Sequence, residues 1–306
     1  MTGYHRFSED GSLTAMNDKL DGLQWLIDEA YATGDVKQLD PERITHRLAF
    51  INDISMHSTG YTAQHIILDL AKSDKSLGYI QALRDEAAAV LKASGGEWTR
   101  QSVTKLRLTD STIRESMRLS PFFSVGLPRT VSFSLLGSAS HFSNTLRNQV
   151  IDPKGIIVPH GGSTLNIPRG TLLGIPVQAI HYDDSIYPNP SEFQPFRFVQ
   201  SQSIDNVTDA FKDMESISTS GEPAKTSATL DGRFLSFGYG KHACPGRFFA
   251  LNELKIFVAE MVLNYNFEYV GSDQPRTMPV LWLNVPNFFT TSPKVLVQRR
   301  EPVELL

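Results

Sequence analysis

The chain of 306 residues has almost no cysteine, since Cys244 is its single thiol. One cysteine excludes an internal disulfide framework and a zinc site built from several thiolates. Long apolar runs are also missing: no stretch of about 18 apolar residues occurs, and no secretory signal opens the chain. The net charge of -4 gives no electrostatic case for nucleic acid as a partner. These absences favour a globular chain in a reducing compartment.

Helical spacing of apolar residues dominates the first part of the chain. The spacing predicts a helix from Leu20 to Tyr31. A longer helix is predicted to begin at Pro41, behind an Asp40 N-cap, and to end near Ala71. The middle of this long helix, "SMHSTGYT", is polar where a buried helix would be apolar.

Shorter elements follow, and few of them are strands. A helix is predicted from about Gly78 to Leu91, and "LTDSTIRESMRL" predicts a short helix with Thr109, Asp110 and Ser111 as capping candidates. The runs "GIIVP" and "TLLGIPV" read as strands. Helices, a small strand region and a further long helix predict a mainly α fold with a small β region, not a doubly wound α/β fold.

The segment "FGYGKHACPG", residues 237–246, surrounds Cys244 with glycine and proline. The long helix predicted to follow would direct its positive end toward the sulfur and favour the thiolate. The apolar stripe predicted for that helix contains Phe248, Leu251, Leu254, Val258, Met261 and Val262. Cys244 could be a small buried hydrophobe, a nucleophile with a histidine base, or a sole thiolate ligand such as haem iron accepts.

This segment matches the pattern F-x-x-G-x-x-x-C-x-G, and in this respect the chain resembles the cytochrome P450 family. Phe237, Gly240, Cys244 and Gly246 occupy the fixed positions of the pattern, and Gly238 lies between them. The resemblance implies that Cys244 is the axial thiolate ligand of haem b, iron protoporphyrin IX. It implies that the other four residues bind the cofactor.

Four charged residues extend the resemblance. "ESMR" matches the E-x-x-R of the family, and "PFRF" follows it with Arg197, so Glu115, Arg118 and Arg197 would form a buried structural triad that locks the loop behind the haem. For an isolated E-x-x-R, the alternative is a solvated ion pair. Arg129 in "GLPRT" stands where the family directs a cation at a haem propionate.

His242 resembles a second propionate donor, and three residues of the long helix resemble the family's site of dioxygen activation. In "ISMHSTG", His57 takes the position of an acid and Ser58 that of a threonine, with Thr59 next. A hydroxyl there could hydrogen-bond dioxygen and relay protons. The alternatives are a surface charge for Arg129 and for His242, and a satisfied polar group of a kinked helix for His57. The choice between Ser58 and Thr59 stays open.

The resemblance leaves one part of the family without a counterpart and one part of this chain without a match. The amino-terminal half of the family, with its membrane anchor, has no equivalent, so the chain is expected to be a single partial haem-thiolate domain over 1–306, the carboxy-terminal part of the fold. Apolar faces of its long helices would then be exposed. Residues 131–149 interrupt an otherwise smooth join, and a retained intron translated in frame is the hypothesis, with a real surface loop as the alternative.

The function implied by the resemblance is that of a haem-dependent monooxygenase of fungal secondary metabolism. It would insert one oxygen atom of dioxygen into a small apolar organic substrate and take electrons from an NADPH-dependent flavoprotein reductase. The parent enzyme would lie at the cytosolic face of the endoplasmic-reticulum membrane, although this chain has no anchor. The alternatives are a truncated, non-catalytic fragment with weak or no haem binding, and a cysteine-dependent hydrolase.

Overall fold

The computed structural model describes residues 5–7, 13–15, 22–130, 148–149, 155–169, 171–199, 226–271 and 294–301. The chain divides into two units, residues 1–58 and 59–306. Within the described ranges, every helix is too short or too polar to pass through a lipid bilayer.

Among its described residues, the first unit has a pair of short antiparallel strands and two α-helices. Strands β1 (His5–Phe7) and β2 (Leu13–Ala15) pair with each other, and helix α1 covers Gly22–Ala32. Helix α2 spans Pro41–Lys72 and continues into the second unit, which confirms the predicted long helix. The predicted cap is also confirmed, since the N–H of Glu42 donates to Asp40 Oδ1 at 3.2 Å.

The core of the second unit consists of helices packed around one apolar cluster. The other α-helices within the described residues are α3 (Tyr79–Ala93), α4 (Arg100–Val103), α5 (Arg107–Leu119), α6 (Val177–His181) and α7 (Arg247–Asn264). Fully buried members of the cluster include Ile66 of α2, Leu83 of α3, Ile113 of α5 and Val258 of α7. This cluster makes α5 the central helix, with α3 and α7 against it.

The start of α5 differs from the prediction. The helix begins at Arg107, so Thr109, Asp110 and Ser111 lie inside its first turns and are not its cap. The carboxylate of Glu86, on α3, accepts the N–H groups of Arg107 at 2.6 Å, Leu108 at 2.7 Å and Thr109 at 2.9 Å, and the hydroxyl of Thr109 at 2.8 Å. These N–H groups have no partner within the helix, and a buried carboxylate from a neighbouring helix satisfies them.

The last long helix, α7, covers Arg247–Asn264. It begins after Cys244 and Pro245, and it stops at Asn264 where the chain turns into a strand. Most of the predicted stripe is buried, as Leu251, Leu254, Val258 and Val262 show, but Phe248 is 58% exposed. The aromatic ring of Phe248 therefore lies outside the core, because the first turn of the helix faces solvent.

The strands form small sheets, as predicted. In the second unit, β3 (Gly126–Thr130) pairs with β4 (Asn148–Gln149) and β7 (Leu172–Ile175), while β5 (Ile156–His160) pairs with β6 (Ser163–Ile167). Strand β8 (Tyr265–Val270) is antiparallel to β9 (Lys294–Arg299). The fold is mainly α with a small β region. Of the segment 131–149, residues 131–147 lie outside the described residues.

Candidate functional site

Residues 235–246, called the cysteine loop below, form a compact turn held by backbone hydrogen bonds. The N–H of Cys244 donates to the carbonyl of Phe237 at 2.8 Å, and the N–H of Gly238 donates to the carbonyl of Leu235 at 2.9 Å. Gly238 and Gly240 have φ of 75° and 69°, a left-handed backbone that glycine adopts without steric cost. The glycines of the motif therefore serve to close the loop on itself.

The loop presents Cys244 as a free, exposed thiol. This exposure contradicts the alternative of a small buried hydrophobe. A Cβ built on Gly246 would lie 3.9 Å from the Cys244 sulfur, and one built on Gly240 would meet nothing within 4 Å. A cofactor bound through a single thiolate needs an accessible sulfur with open space beside it, and the residues present fit that requirement.

Helix α7 begins at Arg247, shortly after Cys244 in the chain and not at the cysteine itself. Gly246 precedes the first residue of the helix, and Nη1 of Arg247 donates to the carbonyl of Cys244 at 2.9 Å. The guanidinium of Arg247 lies 4.3 Å from the centre of the Phe248 ring. This arrangement leaves Tyr239, Phe248 and Phe249 exposed around the loop and the start of the helix.

The structure brings Glu115, Arg118 and Arg197 together, and we call this group the Glu–Arg–Arg cluster. Nε of Arg118 lies 2.8 Å from Glu115 Oε2, and Nη2 lies 2.9 Å from Oε1, which makes a two-pronged pair within α5. Nε of Arg197 contacts the same oxygens at 3.0 Å and 3.1 Å. The side chains of Glu115 and Arg118 have no exposed surface, and that of Arg197 is 9% exposed.

The two guanidinium groups also bind the proline-rich loop that precedes Arg197. Nη1 of Arg118 donates to the carbonyl of Pro190 at 2.7 Å, and Nη1 of Arg197 donates to that of Pro188 at 2.6 Å. The N–H of Gln194 donates to Glu115 Oε1 at 3.1 Å. Buried charges are stable only when their hydrogen-bonding capacity is used, and these contacts supply the partners. The cluster therefore closes this loop against α5.

The remaining predicted residues lie on three elements. His57 is exposed on α2 with Nε2 3.3 Å from Asp53 Oδ1, and the Ser58 hydroxyl donates to the carbonyl of Ile54 at 2.8 Å. Thr59 follows in the same helix. Two further candidates are Arg129, which lies on β3, and His242, which is exposed on the short turn Gly240–His242 of the cysteine loop. Their catalytic and cofactor-binding roles stay predictions.

Comparison with known proteins places the chain in a family. The family model described as Cytochrome P450 matches residues 5–135 and 157–297. The chain belongs to the cytochrome P450 family. The P450 resemblance in the motifs is thereby confirmed, and the mainly α architecture with small sheets is a partial P450 fold.

Curated relatives of this P450 chain include fungal monooxygenases. It is 38% identical over 288 residues to cytochrome P450 monooxygenase okaG of Penicillium ochrochloron, an alignment that covers 92% of this chain and 49% of the relative. It is 38% identical over 257 residues to cytochrome P450 monooxygenase gloP of Glarea lozoyensis, with 83% and 42% covered. The chain spans about half the length of these relatives.

Two buried residues of the P450 chain that connect its elements were not predicted from the sequence. Glu86 caps α5, and His181 connects the end of α5 to the cysteine loop. The ring of His181 is fully buried; its Nδ1 lies 3.1 Å from the carbonyl of Arg118, and its Nε2 accepts the N–H of Leu235 at 2.9 Å. Burial lowers the pKa of His181 to about 4. Neither residue belongs to a motif, because the partners of each are distant in the chain.

Proposed function

We propose that this chain is the haem-binding part of a haem-dependent monooxygenase that inserts one oxygen atom of dioxygen into a small apolar organic substrate. The observation that carries the proposal is the exposed thiol of Cys244, held on a loop closed by the Phe237 carbonyl and two left-handed glycines. Haem, when bound, supplies the iron that activates dioxygen and the redox chemistry of the reaction.

The role of the cysteine loop is to hold one thiolate in a defined place. Cys244 would hold the haem iron through its sulfur, and Phe237, Gly238, Gly240 and Gly246 would bind the cofactor around it. The position of Gly246 beside the sulfur supports this assignment, since a residue without a side chain leaves room for a flat cofactor there. Arg129 and His242 are assigned to the haem propionates, as cations or hydrogen-bond donors.

The role of the Glu–Arg–Arg cluster is to hold the proline-rich loop before Arg197 against α5, behind the proposed haem site. Glu115, Arg118 and Arg197 connect α5 to the loop before Arg197, and nearly all of their polar atoms are buried. A rigid support of this kind keeps the sulfur at one position relative to α5. The contacts measured among the three residues support the assignment of a structural triad.

The role of the α2 residues is to hold and move protons. Ser58 and Thr59 are adjacent residues with hydroxyl groups, and His57 precedes them with its Nε2 3.3 Å from Asp53 Oδ1. We assign proton delivery to this segment without choosing between the two hydroxyls. Dioxygen and the apolar substrate are the small molecules that the site takes, and an NADPH-dependent flavoprotein reductase is the partner that supplies electrons.

Location and gene structure are part of the same proposal. For the parent enzyme we propose the cytosolic face of the endoplasmic-reticulum membrane. For residues 131–149 we propose a retained intron. The family match omits residues 136–156, and this gap, which includes 136–149 of the segment, supports the proposal. Sequencing of spliced transcript tests this point. A mature message without the codons of 131–149 supports the intron, and one that keeps them overturns it.

Reconstitution with haem tests the cofactor assignment. The full chain is mixed with haem, reduced and exposed to carbon monoxide, in parallel with Cys244→Ser and with His57→Ala as a variant outside the cysteine loop. A thiolate-type Soret band in the unchanged chain and in His57→Ala, but not in Cys244→Ser, is the expected result. A free-haem spectrum in all three supports the alternative, a non-catalytic fragment. Ester or amide hydrolysis without haem that alkylation of Cys244 abolishes would instead identify a hydrolase.

A further inference from the structure

The carboxy-terminal end of α5 has four carbonyl groups without partners in the helix, and each accepts a hydrogen bond. The carbonyl of Ser116 accepts the N–H of Ser120 at 2.8 Å, and that of Leu119 accepts the hydroxyl of Tyr182 at 2.9 Å. The other two are used by the cysteine loop and its neighbour. The Met117 carbonyl accepts the hydroxyl of Ser236 at 3.2 Å, and the Arg118 carbonyl pairs with the imidazole of His181 at 3.1 Å.

The contact between His181 and Arg118 is reciprocal. The imidazole of His181 contacts the backbone carbonyl of Arg118, and Nη1 of the Arg118 side chain donates to the backbone carbonyl of His181 at 2.6 Å. The ring is also stacked on Phe234, with centroids 5.4 Å apart and planes 11° apart. These contacts leave the ring a single orientation, in which its other nitrogen points at the N–H of Leu235.

The hydrogen-bond partners determine the protonation of the ring. Nε2 accepts the N–H of Leu235, so the proton of the neutral imidazole lies on Nδ1, which donates to the Arg118 carbonyl. Arg118 and Arg114 are the charged groups that face the ring, and both oppose a further positive charge. Burial lowers the pKa to about 4, so the ring is neutral at pH 7.

We propose that His181 is a positioning residue: its neutral imidazole joins the end of α5, and through Arg118 the Glu–Arg–Arg cluster, to Leu235, and so holds the start of the cysteine loop in place. Leu235 is also the residue whose carbonyl closes the first turn of the loop on Gly238. The inference extends the proposed function, because the loop that His181 holds is the one to which the haem thiolate is assigned.

Two substitutions separate the two hydrogen bonds of the ring. The amide of glutamine in His181→Gln reaches the position of Nε2 and can still accept from Leu235. The shorter amide in His181→Asn reaches the position of Nδ1 and can donate only to the Arg118 carbonyl. Loss of one hydrogen bond of about 1.4 kcal/mol speeds local amide exchange about tenfold.

Hydrogen–deuterium exchange on the full chain without haem provides the measurement. We expect peptides covering 235–244 to exchange about tenfold faster in His181→Asn than in the unchanged chain, and within about threefold of it in His181→Gln. Peptides of α7 serve as the internal control and should keep their protection in both variants. Equal protection of 235–244 in all three chains overturns the proposal, as does an equal loss in both variants.

Acid provides a second route if His181→Asn does not fold. Protonation of the ring removes the acceptor for Leu235, so protection of 235–244 in the unchanged chain should fall before that of α7 as the pH approaches about 4. His181→Gln has no titrating ring and should not show this selective loss. The same fall in both chains overturns the proposal.

Haem binding distinguishes this inference from the proposed function. If haem binds, His181→Asn should carry a smaller fraction of thiolate-ligated haem than His181→Gln. If no chain binds haem while the exchange contrast is present, the proposed cofactor role fails and the positioning role of His181 stands.

Discussion

Helix α5 and the first part of α2 invert the usual relation between polarity and burial. The residues of α5 that are polar or charged and nevertheless buried are Thr109, Asp110, Ser111, Thr112, Arg114, Glu115, Ser116 and Arg118. The first part of α2 carries large apolar residues that are between 41% and 66% exposed, namely Phe50, Ile51, Ile54 and Met56. In α5, therefore, hydrogen-bond and ion-pair partners allow polar residues to be buried alongside the apolar core.

The polar groups of α5 are buried because other elements of the second unit supply their partners. Ser116 donates to Asp69 at 2.6 Å, and Asp110 pairs with Lys255 of α7 at 2.8 Å and accepts the N–H of Ser227 at 2.8 Å. A buried polar group costs free energy unless its hydrogen bonds are made. Here most of them are made, and Nε of Arg114 is the exception on α5, with no hydrogen-bond partner among the described residues. The exposed apolar residues of α2 agree with the prediction from the sequence that apolar faces of the long helices would be exposed to solvent.

The largest expected effect comes from breaking the cluster on α5. Glu115→Gln leaves two buried guanidinium groups without a carboxylate, so the free energy of unfolding should fall by about 3–5 kcal/mol. Glu192→Gln is the matched control, since Glu192 is exposed two residues from Gln194, and it should change stability by less than about 0.5 kcal/mol. Urea denaturation followed by circular dichroism measures both. Similar losses of stability in the two variants would mean that the buried cluster contributes no more to stability than an exposed charge does.

The next largest loss of stability is expected from an Ile→Ala substitution in the buried part of α2, compared with the same substitution in its exposed part. Ile66 is fully buried and Ile54 is 49% exposed. Ile66→Ala should cost about 2–5 kcal/mol because it opens a cavity in the core. Ile54→Ala should cost less than about 0.5 kcal/mol. Denaturation midpoints at equal slopes give the two values, and a loss at Ile54 as large as at Ile66 would show that the exposed face is packed in solution.

A pH-dependent effect of similar size is expected from the imidazole next to α5. The pKa of His181 is lowered from 6.5 to about 4, so above about pH 6.5 its ring is neutral in both states and its contribution is complete. As the pH falls from 6.5 to 4, His181 becomes protonated in the unfolded chain but stays neutral in the folded chain. The free energy of unfolding therefore falls by on the order of 3 kcal/mol.

Measuring the stability of the unchanged chain minus that of His181→Gln from pH 7 to pH 4 isolates this contribution, because other titrating groups are common to both chains. The difference should shrink over that interval. A difference that is constant with pH would mean that the ring titrates alike in the folded and unfolded chains.

The smallest effect concerns the helix cap. Glu86→Gln keeps an acceptor but removes the charge facing the start of α5, so stability should fall by about 1–3 kcal/mol. Burial raises the pKa of Glu86, and the four donors that contact it act in the opposite direction. Asp85→Asn, at an exposed neighbour, is the control and should stay within about 0.5 kcal/mol. An effect of Glu86→Gln no larger than the control would exclude a capping role.

Spacing along the chain was sufficient to predict some of these contacts. Glu115 and Arg118 lie three residues apart on a helix, so their contact follows from local geometry, and a known motif added Arg197. The bounds of α2 followed from an N-cap and apolar periodicity. The predicted start of α5 was wrong, because its cap is Glu86, which comes from another helix. Phe248 was wrongly placed in the core. Periodicity predicts which face of a helix is apolar, but not whether another element packs against that face.

By itself the sequence determined the family, the mainly α architecture, the glycine turns of the cysteine loop and the single thiol that the loop presents. These are properties of short segments, where backbone preferences and residue spacing decide the outcome. Tertiary structure alone decided that Glu86 caps α5, that His181 bridges Arg118 and Leu235, and that polar α5 is buried while apolar residues of α2 are exposed. The physical reason is that a hydrogen bond between distant segments, and the burial that makes it strong, exist only after those segments have packed together.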